Sequence, residues 1–141
     1  MSTDGGTRAW IEVRAAGLRR NLRTIRERIG PGPRMIPMVK ADAYGLGVAG
    51  AVAALEPEDP WGYGVATVEE GRQLRTLGVT RPVLVFSPLP PGSYSAAVED
   101  ELTVCISDLE GLRRLQDAAL RHGSTARFHL EVDTGMGRSG F

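Results

Sequence analysis

Apolar residues recur along the chain in short runs and in helical patterns that alternate with one another. Leu18 to Ile29 has apolar residues at helical spacing, with arginines mostly on the opposite face, and a Gly-Pro-Gly-Pro segment follows it. Strands are predicted in five apolar runs, of which the first is expected to be buried: Met35 to Val39, Tyr63 to Ala66, Pro82 to Phe86, Leu102 to Ile106 and Phe128 to Val132. Pro37 is mildly unfavourable in the first predicted strand, because proline cannot donate a hydrogen bond to a neighbouring strand.

Helical patterns lie between the strands. The spacing predicts helices over Val48 to Leu55 and Val68 to Leu77, the second with acidic residues in its first turn. A further helix is predicted from an N-cap at Ser107, where Glu110 completes a capping box, to about His122. Its inward face is expected to carry Leu109, Leu112, Leu115 and Leu120.

This regular alternation predicts an α/β fold built from parallel βα units. Such units suit either a doubly wound sheet or part of a barrel, and the lack of G-x-G-x-x-G after the first strand weakens the dinucleotide-binding version. A closed barrel needs roughly 200 to 250 residues, whereas the chain has 141. We therefore expect an incomplete (β/α)8 TIM-type barrel of about five βα units. It would form one partial domain over residues 8–141, after a disordered lead-in at residues 1–7.

The composition excludes several classes of protein. Hydrophobic residues make up 42% and charged residues 24% of the chain, as in ordinary globular proteins, and the 17 basic and 17 acidic residues cancel. We therefore expect no binding to nucleic acid or to an anionic membrane. Cys105 is the only cysteine, which fits a reducing, cytoplasmic compartment and suggests an inert core thiol. His122 and His129 are isolated, so a metal site is not expected.

The first segment that suggests chemistry is Val-Lys-Ala-Asp-Ala-Tyr-Gly-Leu-Gly at residues 39–47. Catalytic groups of βα barrels lie at the carboxyl ends of strands, where Lys40 is expected. Apolar neighbours favour the neutral amine, which can form a Schiff base with an aldehyde cofactor. The Tyr44 hydroxyl is placed to reach a cofactor phosphate. The alternative is a solvated lysine beside an ordinary turn, and spacing alone leaves both readings open.

The second segment is Glu-Val-Asp-Thr-Gly-Met-Gly-Arg-Ser-Gly at residues 131–140. Its glycines bracket Arg138, which suits an arginine held against a phenolate or a carboxylate. A plain glycine-rich turn with a solvated arginine is the commoner explanation of such a composition. Asp42 and Asp133 could pair as acid and base, but each is better explained as a local cap or turn former.

Taken together, the two segments favour a functional site over two ordinary glycine-rich turns. Residues 39–47 closely resemble the cofactor-lysine signature of alanine racemases, and residues 132–141 resemble the second signature of the same family, in matching order and separation. Residues 64–70 resemble the family's second-strand region, and residues 10–22 resemble its opening segment. The resemblance thus covers nearly the whole chain.

This resemblance implies a pyridoxal-phosphate enzyme that interconverts L-alanine and D-alanine, the latter for cell-wall peptidoglycan. By the same resemblance, Lys40 carries the cofactor and is one of two acid/base groups at the substrate Cα. Tyr44 binds the cofactor phosphate, and Arg138 donates to the cofactor ring oxygen and helps to place the substrate carboxylate. The family fold is an eight-stranded α/β barrel followed by a β domain, and the working form is a homodimer.

The chain also departs from the family pattern. Many members have a carbamylated lysine seven residues before this arginine, where this chain has Glu131. Our hypothesis is that the Glu131 carboxylate replaces the carbamate without CO2. The family's opposite catalytic base, a tyrosine of the C-terminal domain, would lie beyond residue 141, so we do not expect the 141 residues to be active alone. A racemase of another amino acid and a non-catalytic pyridoxal-phosphate-binding barrel protein remain alternatives.

Overall fold

The computed structural model describes residues 9–141, so the lead-in expected at residues 1–7 lies outside the described residues. The helices are α1 (Ala15–Ile29), α2 (Lys40–Gly45), α3 (Val48–Leu55), α4 (Val68–Thr76), α5 (Tyr94–Glu99) and α6 (Leu109–Arg121), and a short 3-10 turn covers Glu56–Glu58. The strands are β1 (Tyr63–Val65), β2 (Val83–Val85), β3 (Thr103–Ile106) and β4 (Arg127–Leu130).

In residues 9–141, the sheet has four strands in the order β1-β2-β3-β4, and all neighbours are parallel. Each strand therefore pairs with the next one along the chain after a connection that carries a helix, which is the winding of a βα barrel. The predicted α/β fold with a parallel sheet is confirmed. The described sheet is open, so closure of a barrel is not shown.

The predicted strand over Met35 to Val39 is wrong as a full strand. Met38 and Gly64 form an isolated parallel bridge, in which Gly64 N–H donates to Pro37 O at 2.9 Å and Val39 N–H donates to Gly64 O at 2.8 Å. Pro37 has no N–H, which limits the ladder on one side. On the other side the backbone leaves the extended region at Val39, where ψ is 19°.

The core lies between the sheet and the helices. The strand residues that face the helices are almost completely buried, namely Tyr63, Val65, Val83, Val85, Val104 and Ile106. Burial of such a side chain stabilises a fold by about 1.5–3 kcal/mol. Gly71 lets α4 pack closely against Leu102, because a Cβ at position 71 would lie 2.7 Å from Leu102 Cδ1. Among residues 9–141, no helix has both the length and the apolarity to cross a bilayer.

Two helices begin at side-chain caps. At α4, Glu70 N–H donates to Thr67 Oγ1 and Thr67 N–H donates to the Glu70 carboxylate, each at 3.3 Å, which completes a capping box. At α6, Asp108 accepts from Gly111 N–H at 2.6 Å, so the predicted cap at Ser107 is wrong by one residue. A carboxylate at this position also interacts favourably with the helix dipole, which a serine hydroxyl does not.

Some apolar helix residues face solvent instead of the core. On α6, Leu115 is buried, but Leu120 is 71% exposed and Leu109 is also exposed, contrary to the predicted inward face. On α1, Leu22 is buried, whereas Ile25 is exposed. The spacing predicted the helices correctly but predicted too wide an apolar face, because α6 is covered on one side only, by α5 and β3. Strand β4, at the edge of the described sheet, is exposed over its whole length.

Candidate functional site

Lys40 and Tyr44 lie beside each other at the carboxyl end of the segment that bridges to β1. The Lys40 Nζ atom lies 5.9 Å from the centroid of the Tyr44 ring, at the outer limit of a cation–π contact. Lys40 follows the buried Val39 and is itself half-buried, while Tyr44 is 63% exposed. The two residues singled out in the first motif are therefore brought together, with an amine and a phenol on one surface.

The backbone of α2 is a left-handed turn, and this turn places Lys40 and Tyr44 side by side. Ala41, Asp42, Ala43 and Tyr44 have φ between 50° and 57° and ψ between 37° and 51°. Left-handed backbone costs about 1–2 kcal/mol for each residue that has a Cβ. Four such residues in succession persist only where surrounding contacts hold them.

Contacts within the segment hold the far end of this turn. Asp42 Oδ1 accepts from Val48 N–H at 2.7 Å, and Asp42 O accepts from Gly47 N–H at 3.0 Å. Ala43 is buried and donates its N–H to Val39 O at 2.9 Å. Asp42 therefore closes this turn, as expected of a local cap or turn former, while Gly47 is the N-cap residue of α3. Gly47 has φ 87° with open space at its Cβ position, which suits close approach of another group to the backbone.

Glu70 of α4 contacts the near end of the turn. Its Oε1 atom accepts from Ala41 N–H at 2.7 Å, and its Oε2 atom accepts from Ala66 N–H at 2.7 Å. The sequence places Glu70 only in the first turn of a helix. A Thr-x-x-Glu capping box directly after a strand is the signal that marks it, but the contact with Ala41 is long-range and has no local pattern.

The second motif forms a folded loop after β4. Glu131 N–H donates to Ile106 O at 2.9 Å, which extends the pairing with β3. The Asp133 carboxylate accepts from Gly135 N–H at 2.8 Å and from Gly137 N–H at 2.9 Å. These backbone donors hold the pKa of Asp133 below its usual value. Asp133 is therefore a turn former, as predicted.

Glu131 and Arg138 are not joined in the structure. The Ser139 hydroxyl donates to Glu131 Oε1 at 2.7 Å, whereas Glu131 Oε2 is buried without a hydrogen-bond partner. Arg138 is exposed, and none of the salt bridges of residues 9–141 includes it. A buried carboxylate oxygen without a donor is unfavourable, so this atom is available to a donor that moves towards it.

The two motifs lie at the same edge of the sheet. The Lys40 turn follows the bridge to β1, and the Arg138 loop follows β4, so both occupy carboxyl ends of parallel strands.

Cys105 of β3 is half-buried, and burial, together with the nearby Glu131 charge, raises the pKa of its thiol. It therefore stays protonated at neutral pH and is a poor nucleophile. Residues 9–141 contain no group of three or more His, Cys, Asp or Glu side chains that could hold a metal ion.

Comparison with known families matches almost the whole chain. The family model described as "Alanine racemase, N-terminal domain" covers residues 13–141. The chain is 43% identical to the alanine racemase of Symbiobacterium thermophilum, over 99% of this chain and 37% of that protein. It is 41% identical to the alanine racemase of Geobacter sulfurreducens, over 92% of this chain and 34% of that protein.

Solved structures show the same fold. The alanine racemase of Clostridium difficile 630 superposes with a TM-score of 0.86 and 31% identity, over 89% of this chain and 33% of that one. The alanine racemase of Streptomyces coelicolor A3(2) gives a TM-score of 0.84 and 35% identity, over 89% of this chain and 34% of that one. The chain spans about a third of the length of the relatives that it matches.

Proposed function

Because the chain belongs to the alanine racemase family, we propose that it is the pyridoxal-phosphate-binding N-terminal part of an enzyme that interconverts L-alanine and D-alanine. One observation supports this proposal above the others, namely the Lys40 amine 5.9 Å from the Tyr44 ring at the carboxyl edge of a parallel sheet. A lysine amine is the group that binds an aldehyde cofactor covalently, and a phenol can donate to its phosphate.

The residues at this edge suit pyridoxal phosphate. Lys40 supplies the amine, and the exposed Tyr44 has its hydroxyl free to donate to a phosphate oxygen. When bound, pyridoxal phosphate withdraws electrons from the substrate and makes its Cα proton acidic. The Lys40 nitrogen would then take up or return that proton on one face of the substrate. These roles are the proposed assignments of Lys40 and Tyr44.

Arg138 and Glu131 form the second half of the proposed site. We assign to Arg138 a hydrogen bond to the cofactor ring oxygen and a part in placing the substrate carboxylate. Glu131 would fix Arg138 by its charge, in place of a carbamylated lysine. The buried and unpartnered Glu131 Oε2 supports this role, since it can accept from a guanidinium that turns in from solvent.

The rest of the enzyme would lie outside these 141 residues. Lys40 serves one face of the substrate, and the proposal requires a second proton-transfer group for the other face. We propose that this group belongs to the remaining two thirds of a longer protein, that the complete protein is a homodimer, and that it works in the cytoplasm. Residues 8–141 would be one partial barrel domain of that protein.

Borohydride trapping tests the proposal directly. Lys40 is the only lysine in the sequence, so any trapped pyridoxal phosphate can lie only on Lys40 or on the terminal amine. The purified chain should show an absorbance band of the bound cofactor, and after borohydride the adduct should map to the peptide with Lys40. Lys40→Arg keeps the positive charge and should give no adduct there. A chain that traps no cofactor at Lys40 would contradict the proposal.

Racemase activity separates the proposal from a non-catalytic cofactor-binding protein. A complete version of the protein should convert L-alanine to D-alanine, and its Lys40→Arg variant should not. Cofactor binding at Lys40 without conversion of any amino acid would favour the binding protein. Conversion of another amino acid in preference to alanine would assign a different substrate to the same proposed site.

A further inference from the structure

We infer that Glu70 is a positioning residue for Lys40, which it holds in place through the backbone amide of the next residue. The inference rests on the proposed role of Lys40 as the cofactor lysine. Glu70 lies on α4 and touches neither the lysine amine nor Tyr44 by a hydrogen bond among the described contacts. It acts on the turn that presents these two side chains.

The Glu70 carboxylate joins two separate segments of backbone. Oε1 accepts from Ala41 N–H at 2.7 Å, directly after Lys40. Oε2 accepts from Ala66 N–H at 2.7 Å and from Thr67 N–H at 3.3 Å, directly after β1. An ionised carboxylate can accept on both oxygens, whereas an amide has an acceptor at one end and a donor at the other. The arrangement therefore needs a carboxylate in particular.

The lysine segment has few other attachments at this point. The ladder to β1 ends with Val39 N–H on Gly64 O, because the isolated bridge continues no further. The left-handed turn begins at Ala41, and the contacts of Asp42 hold its far end on α3. Glu70 is thus the side chain that fixes the first residue of the turn. Loss of its contact would release the backbone next to Lys40 and leave the far end held.

Glu69 provides a matched control on the same helix turn. It carries the same charge beside the same helix N-terminus, but its own backbone N–H and the Thr67 hydroxyl are what lower its pKa. It is exposed and has no hydrogen bond to the Lys40 segment among the side-chain bonds of residues 9–141. Glu69→Gln therefore removes an equal charge without removing the contact with Ala41.

The experiment compares Glu70→Gln with Glu69→Gln in the 141-residue chain. Amide hydrogen exchange at Ala41 measures the contact without any cofactor, and the rate of borohydride-trapped pyridoxal phosphate measures the presentation of Lys40. In Glu70→Gln, we expect Ala41 exchange to be about tenfold faster or more and trapping to be slower by about tenfold. Glu69→Gln should match the unmodified chain within about twofold in both readings.

Two further measurements distinguish a general loss of stability in Glu70→Gln from a local change at the Lys40 segment. Amides of Val85 and Val104 in the buried strands should exchange at unchanged rates in Glu70→Gln. Reductive methylation can modify only Lys40 and the terminal amine, because Lys40 is the only lysine. Read on the peptide with Lys40, it reports access to that amine without cofactor, and its pH profile should change in Glu70→Gln alone.

The outcomes separate the two proposals. Unchanged Ala41 exchange in Glu70→Gln, or faster exchange with unchanged reactivity of Lys40 towards methylation, would overturn the inference. If the unmodified chain traps no pyridoxal phosphate at Lys40, the proposed function fails, and the exchange and methylation readings still decide whether Glu70 positions the lysine.

Discussion

The Glu58 carboxylate accepts two hydrogen bonds from the guanidinium of Arg23, each at 2.8 Å. This bidentate pair ties α1 to the 3-10 turn that precedes β1. Arg26, one helical turn further on, donates to the backbone carbonyl of Glu58 and so strengthens the same contact. The pair fixes α1, which packs against α3 and the 3-10 turn.

The pair makes stability depend on pH. Arg23 hydrogen bonding holds the pKa of Glu58 below its ordinary value of 4.5. A carboxylate with a lowered folded-state pKa stabilises the fold above its unfolded pKa, and this contribution is lost as the pH falls through the folded pKa. Glu58→Gln should therefore lower the urea midpoint at pH 7 and have a smaller effect at pH 3. Glu110→Gln, which breaks the exposed pair with Arg114, is the control and should change neither midpoint appreciably.

Tyr44→Phe should weaken binding of the cofactor phosphate. The variant keeps the ring beside Lys40 and removes only the hydroxyl, so the proposed hydrogen bond to phosphate is lost. A hydrogen bond to a charged group contributes about 1.5–3 kcal/mol, which corresponds to an increase of roughly tenfold or more in Kd for pyridoxal phosphate. Spectroscopic titration measures it. Pyridoxal without its phosphate is the control ligand, and equal losses for both ligands would show that Tyr44 does not bind the phosphate.

Glu131→Gln tests the proposed substitute for a carbamate. If the charge of Glu131 fixes Arg138, the variant should lower kcat/KM of a complete version of the protein by about tenfold. Ser139→Ala removes the hydroxyl donor from Oε1 but leaves the carboxylate charged, so its effect should be smaller. Activity of the unmodified protein should not depend on added bicarbonate. Unchanged kinetics in Glu131→Gln would refute the role.

Gly140→Ala should unfold the Arg138 loop in part. Gly140 has φ 120°, and a Cβ there would lie 2.6 Å from Asp133 N. We expect the free energy of unfolding to fall by about 1–3 kcal/mol, because alanine at this φ is strained as well as crowded. Gly92→Ala is the matched control, since a Cβ at Gly92 would meet no atom within 4 Å. Chemical denaturation of the two variants measures the difference.

Sequence patterns predicted the elements with strong periodicity and missed those that depend on distant contacts. Helix α3 begins at Val48 and ends at Leu55 as predicted, because its apolar run is bounded by a glycine and an acidic segment. Helix α5 has only six residues, and its buried Tyr94, Ala97 and Val98 form a helical pattern that is too short to be recognised in the sequence. The bridge at Met38 replaces a predicted strand because of Pro37.

The site was predictable only in part. The sequence singled out Lys40 and Tyr44 by motif, and the structure brings them within 5.9 Å. Nothing local predicts the left-handed turn between them, because alanine and tyrosine favour right-handed backbone and the turn depends on the long-range bond from Ala41 to Glu70. Arg138 was likewise singled out, but its side chain points to solvent in this structure. The functional roles of these residues stay proposals.

The handedness of that turn has a consequence for chirality. Residues at φ near +50° have the backbone that a mirror-image amino acid prefers. A D-alanine placed at position 41 by chemical synthesis should therefore raise the melting temperature, since it relieves the strain of the exposed Ala41. The same replacement at the exposed Ala53, inside the right-handed helix α3, should lower it. Lys40 thus stands at the boundary between two segments of opposite stereochemical preference.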